Sequence, residues 1–369
     1  MNKKEAEMNI GNWEMAALVI LILCTKIFLS FPRLMAESAG QAGWILSIYV
    51  SLITITVFWF MLRLYKKHYG KDLIDLGEHI GGAAGRIFVG LIIIGFTIYV
   101  NSVILREFSE DMKIISLSIS PISFVSLFFL AAMIISAYVG LEALVRMNAI
   151  AVPIISLGYI IIMLGVGRYY DLSKIMPLFG LGFKQIFING ITRISIFSEL
   201  LIVFMLTPNL KKFNNFKKST YIGIVISSVF LTISSLVYLL VFAYPHATES
   251  FLPIYQLARL VDYGSFFQRG ESVFLLIWAV AAMLYLSLGF NVLLQSFKKT
   301  FKLDHYKPLI LPFAVIIFTL SLMPPNLMSV IELDTGYLRK WGFIISFGFA
   351  ILLFVLAGLK KTKKKGEAH

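Results

Sequence analysis

From residue 13 to residue 359 the chain alternates between long apolar stretches and short segments that hold most of its charge. A membrane-spanning helix needs about 20 mostly apolar residues. Ten stretches meet or approach that measure: 13–33, 44–64, 87–103, 122–139, 145–166, 183–206, 221–242, 272–297, 309–323 and 341–359. The ninth is short and runs into Pro324-Pro325. The pattern predicts an all-α membrane protein, one integral domain over 1–369 with ten transmembrane helices.

Three connecting segments carry helical patterning of their own. Residues 71–80 read as a short amphipathic helix on the inner surface. Residues 106–118 continue the third span as a polar helix on the outer side. Residues 251–264, FLPIYQLARLVDYG, place apolar side chains at helical spacing and are expected along the outer face. The end, KKTKKKGEAH (residues 360–369), is expected as a basic cytoplasmic tail near anionic lipid.

Charge orients the chain. With the N-terminus in the cytoplasm, 21 of the 33 Lys and Arg fall on the cytoplasmic side. Ten fall outside, Arg339 and Lys340 among them, and Lys26 and Arg193 fall within spans. Cytoplasmic loops carry such an excess, so both termini are expected inside. Composition agrees: the chain is 59% hydrophobic and 14% charged, with mean hydropathy +0.85, whereas soluble domains hold roughly 25% charged residues. The net charge of +13 sits in short clusters between apolar runs, which points to topology and not to nucleic acid. Cys24 is the single cysteine, so no internal disulfide can form. The charged start MNKKEAEMNI does not suit the core of a signal peptide, and the first apolar run is long for a cleaved one. There is no phosphate-binding glycine loop, nucleophile elbow or His/Cys cluster at metal spacing, so neither an enzyme nor a metal or cofactor is expected.

The charges inside spans point to function. A lysine in lipid costs about 3 kcal/mol or more, so Lys26 should face protein or water. On a helix Lys26, Ser30 and Arg33 would share a face, and Pro32 would disturb the turn before it. In the sixth span Thr192, Ser195 and Glu199 fall on one helical face and Arg193 on another. The first and sixth spans each begin a five-helix half, about 13–167 and 183–360, which suggests an inverted repeat with a site between its leading helices. Lys26 and Arg193 could together receive a carboxylate, and Glu199 an amine. Alternatively Lys26 reaches an interface, or pairs permanently with Glu199. Tyr99, Asn101, Ser102 and Arg106 on the third span, and Trp278, Tyr285, Ser287 and Asn291 on the eighth, are either ligand contacts or hydrogen bonds between helices.

Two segments, FPRLMAESAGQAGW after the first span and FLPIYQLARLVDYGSFFQRGESVFLLIW leading into the eighth, resemble the B subunits of endospore germinant receptors. So do the length, the ten spans and the basic tail. The resemblance covers essentially the whole chain. It implies the amino acid–polyamine–organocation transporter superfamily, with a LeuT-like five-plus-five inverted repeat and discontinuous first and sixth helices. It implies nutrient sensing in the inner membrane of the spore, in assembly with an A-type subunit and a C-type lipoprotein. The implied ligand is a small germinant, usually an amino acid. Carried onto this chain, the pocket lies between helices 1, 3, 6 and 8, near Thr25, Lys26, Ser30, Tyr99, Asn101, Ser195, Glu199 and Tyr285. One departure stands out. The unwound stretch of the first helix is Gly-rich in many members, but residues 25–30 here are TKIFLS. That predicts a more regular first helix, with Lys26 replacing free backbone donors. A proton-coupled amino-acid transporter of the same fold, or a structural subunit with a vestigial pocket, fits the same residues.

Overall fold

The computed structural model describes residues 10–262 and 270–360. Lys3, Lys4, Arg269 and the basic tail from 361 onward lie outside the described residues. Everything described is helix or loop: α1 (Asn12–Cys24), α2 (Phe31–Ala39), α3 (Gly43–Tyr65), α4 (Leu73–Ile115), α5 (Ile122–Val139), α6 (Leu141–Gly165), α7 (Phe183–Phe187), α8 (Leu200–Met205), α9 (Phe213–Val241), α10 (Pro253–Arg259), α11 (Gly270–Thr300), α12 (Ile310–Leu322), α13 (Leu327–Ile331), α14 (Arg339–Phe343) and α15 (Ala350–Leu359).

Among the described residues, eight helical stretches are long and apolar enough to cross a membrane. Two of the ten expected spans are not among them. The first is divided between α1 and α2, and the ninth belongs to a shorter helix, Lys307–Leu322. Helices in the middle of the bundle are apolar all round, as burial on every side requires. From Met15 to Cys24 every residue of α1 is buried, and α1 packs on α9, α6 and α11. The outer helices instead expose large apolar side chains, among them Phe124 on α5, Ile150 and Leu157 on α6 and Val315 on α12. Only lipid can cover such a surface without cost, so the protein is integral to a membrane.

Local chemistry explains the helix ends. Asp72 caps α4: its carboxylate accepts from the Asp75 N–H at 2.9 Å, and the Asp75 carboxylate accepts from the Asp72 N–H at 3.1 Å. The expected amphipathic helix at 71–80 is the first part of α4, with Leu73, Ile74 and Leu76 buried. Gly82 then breaks the helix at φ 61°, ψ −143°. This region is nearly reserved for glycine. The chain folds back there so closely that a Cβ on Gly85 would stand 2.2 Å from the Gly77 carbonyl oxygen.

The expected continuation of the third span at 106–118 is the end of α4, which stays helical to Ile115. Arg106, Glu107 and Asp111 on it are buried, because α5 and α12 pack along α4. One expectation is corrected. The tenth span does not begin at 341, and Arg339 is not in an outer loop. The helical run starts at Leu327 and carries Asp334 and Arg339 inside the bundle. Ion pairs, described below, offset the charges that interrupt its apolar pattern.

Candidate functional site

The first span breaks where α1 ends at Cys24. Residues Thr25–Phe28 tighten into a 3-10 turn, Leu29 leaves helical geometry at ψ −140°, and α2 restarts at Phe31 with Pro32 in its first turn. Pro fits a first turn because that position has no intrahelical donor to lose. The expectation of a more regular first helix is therefore wrong. Pro32 and the non-helical Leu29 break the helix without glycine. The sixth span breaks as well: between α7 and α8, Asn189–Phe197 runs in 3-10 geometry for nine residues. Runs beyond three or four residues are uncommon and often mark a hinge or a strained functional site.

The two breaks face each other through charge. Lys26 Nζ donates to the Ile196 carbonyl in the irregular stretch and lies 2.8 Å from Glu199 Oε2. The other Glu199 oxygen, Oε1, receives Arg339 Nη1 at 2.5 Å and the Tyr285 hydroxyl at 3.0 Å. Arg339 Nε donates in turn to Asp334 Oδ1 at 3.0 Å. Lys26, Glu199, Asp334 and Arg339 are each no more than 4% exposed. Two cations face two anions, so the buried cluster is neutral. That satisfies the demand that charge inside a membrane be paired.

Expected residues beside this cluster are the following. Ser30 donates to Glu107 Oε1 at 3.3 Å. Asn101 donates to the Thr97 carbonyl and lines a small void with Glu199 and Tyr285. Ser195 accepts from the Phe343 N–H at 3.0 Å, tying the sixth span to the last. Three expected residues point elsewhere. Thr25 bonds its own helix at the Leu21 carbonyl and lines another void with Tyr159 and Phe230. Tyr99 donates to the Leu333 carbonyl and lines a separate groove with Pro324, Pro325 and Tyr337. Arg193 donates to Ser38 Oγ and to the Thr335 carbonyl. The cation that joins Lys26 on Glu199 is thus Arg339, not Arg193. Ser287 and Asn291 bond Ala132 and Ser136 on α5, and so hold helices together.

The shared faces expected from α-helical spacing do not survive the breaks. With three residues per turn, Thr192 and Ser195 align but Glu199 is turned away from them. Arg33, beyond the first break, pairs with Glu37 at 2.7 Å. Sequence reading missed Asp334 and Arg339. They are five apart, and the π-helical turn Glu332–Leu338 brings them together.

The cluster is closed. The void beside Asn101, Glu199 and Tyr285 and the one beside Lys26, Ser30 and Arg339 each measure about 10 Å³, roughly the space of one water. A larger cavity of about 790 Å³ opens away from it, lined by Asp72, Asn209, Gln295, Lys299 and Tyr306 among others. Lys299 lies 2.5 Å from Asp72 and 2.6 Å from Asp75 there.

Comparison with known proteins accords with this geometry. Residues 9–329 match the family model described as spore germination protein. Spore germination protein A2 of Bacillus subtilis (strain 168) is 24% identical over 372 residues, covering 98% of this chain and 99% of that protein. Spore germination protein B2 of the same organism is 23% identical over 362 residues, 95% of this chain and 96% of that one. A nucleobase-cation-symport-1 family transporter, solved in a closed conformation with bromovinylhydantoin bound, superposes with a TM-score of 0.66 at 13% identity, over 94% of this chain and 82% of that one. That likeness establishes a LeuT-like transporter fold, with its first and sixth helices discontinuous.

Proposed function

The chain belongs to the spore germination protein family, and from that premise we propose that it is the germinant-sensing membrane subunit of a spore germination receptor. A small nutrient, an amino acid by preference, binds at the midplane between the two helix breaks. The observation that carries this reading is Glu199, a buried carboxylate held by Lys26 and Arg339 where both helices are interrupted. A zwitterion can replace these contacts in kind. Its carboxylate takes Lys26 or Arg339, and its ammonium takes Glu199. With voids of about 10 Å³, binding requires the cluster to open. A ligand shifts that equilibrium only by its differential affinity for the open state. In this reading A-type and C-type subunits receive the shift, in the inner membrane of the spore, with both termini cytoplasmic. Thermal-shift screening of the purified protein against amino acids, nucleosides and sugars tests it. One class should stabilise the protein, and Lys26→Met should abolish the effect. Stabilisation by nothing, alone or with the partner subunits, overturns it.

The fold of a cation-symport transporter favours one alternative, proton-coupled uptake of the same ligand by this subunit. Proteoliposomes separate the two readings. Gradient-driven accumulation supports the transporter, and binding without accumulation supports the receptor.

A further inference from the structure

Beyond the neutral cluster, the end of α4 remote from Asp72 holds two acids that, among the described residues, form no ion pair. Glu107 and Asp111 are each 2% exposed. They stand four residues apart and so share a helix face. Glu107 Oε1 accepts the Ser30 hydroxyl, while Glu107 Oε2 and Asp111 Oδ2 have no hydrogen-bond partner among the described residues. The charged groups facing Glu107 are Asp334 and Arg339 from the last helical run and Asp111 from its own helix. Asp111 faces Glu110. No cation in that set is free. Arg339 already holds Glu199 and Asp334, and Arg106, the basic neighbour on α4, pairs with Glu110 at 2.8 Å.

An isolated carboxylate cannot be held in such a place. Taking it from water without a partner costs so much that the group neutralises instead. We propose that Glu107 and Asp111 form a proton-binding site that is loaded in this closed state and unloads when the first span moves. The link is Ser30, which immediately precedes α2 in the broken first span and bonds Glu107 directly. Any displacement of α2 that opens the midplane removes this contact and admits water beside Glu107. The carboxyl O–H then breaks, its proton passes to that water, and the carboxylate left behind is hydrated. By linkage, acid favours the closed state and proton release accompanies opening. The site exists whether or not a nutrient binds at Glu199, and its test needs no nutrient.

Infrared spectroscopy of the whole protein in lipid, titrated with pH, reads the C=O stretch of protonated carboxyls. At neutral pH this band should be present, and it should shift with isotope-labelled glutamate and with isotope-labelled aspartate. Each of E107Q and D111N should remove its own share, and the wild-type band should vanish reversibly as pH is raised. The labelled wild type gives the answer even where a variant fails to fold. Three results would overturn the proposal. Absence of the band at neutral pH would mean ionised acids. A band that appears only after sodium is removed would mean a metal-cation site. A band that persists until the protein unfolds would mean locked, purely structural protons.

Discussion

Arg339 Nη1 lies 2.5 Å from Glu199 Oε1, 140 residues earlier in the chain. The last helical run is thereby tied to the break in the sixth. Arg339 also holds Asp334, so its removal leaves one carboxylate unpaired and a second with Lys26 alone. Breaking a buried pair by deleting one partner costs about 3–5 kcal/mol. Arg339→Met should therefore unfold at a clearly lower temperature than the wild type in detergent. Adding Asp334→Asn should recover part of the loss, because it removes the stranded charge. No recovery would mean that Asp334 is not a partner that matters.

Lys26 and Glu199 were legible in the sequence because a charge inside an apolar run must find a partner, and their pairing was one of the alternatives. Arg339 was not legible. Its neighbours Asp334 and Lys340 lower the hydropathy there, so residues 327–340 read as loop. The five-residue spacing of Asp334 and Arg339 matches no α-helical face and becomes a contact only through the π turn. Arg193 was read as a second cation beside Lys26, but it bonds Ser38 and the Thr335 carbonyl instead, from a nine-residue 3-10 stretch whose side-chain directions differ from those of an α-helix. The first helix break was expected from family resemblance and doubted for want of glycine. Leu29 and Pro32 supply it instead.

The Gly82 bend carries its own cost. At φ 61°, ψ −143° a side chain adds strain of about 1–3 kcal/mol. Gly82→Ala should lower the unfolding midpoint accordingly, although a Cβ at this position would have nothing within 4 Å of it. Gly85→Ala should be worse, since its Cβ would meet the Gly77 carbonyl at 2.2 Å. Equal midpoints for Gly82→Ala and wild type would show that the bend is not imposed by this residue.

Tyr285 donates to Glu199 Oε1 at 3.0 Å from α11. A hydrogen bond to a charged group contributes about 1.5–3 kcal/mol. Tyr285→Phe keeps the ring that fills the space and removes only the donor, so a loss of that size is expected in the same unfolding assay. In a Glu199→Gln background the carboxylate is gone, and the loss should shrink. An undiminished loss there would assign the effect of Tyr285→Phe to packing.

The Lys26–Glu199 pair distinguishes a working site from a permanent lock. Both groups are buried, 2.8 Å apart, and a double-mutant cycle isolates their interaction from the effect of each change alone. Lys26→Met should be strongly destabilising by itself, about 3–5 kcal/mol, because Glu199 keeps its charge with Arg339 as its remaining cation. Lys26→Met with Glu199→Gln should be milder than the sum, with a coupling of about 0.5–3 kcal/mol. Either role predicts this coupling, so stability alone does not decide. Ligand response does. In a working site the nutrient that stabilises the wild type competes with the pair, so both single variants lose the response. In a permanent lock no nutrient stabilises any of the four proteins, and the pair's whole effect is on folding.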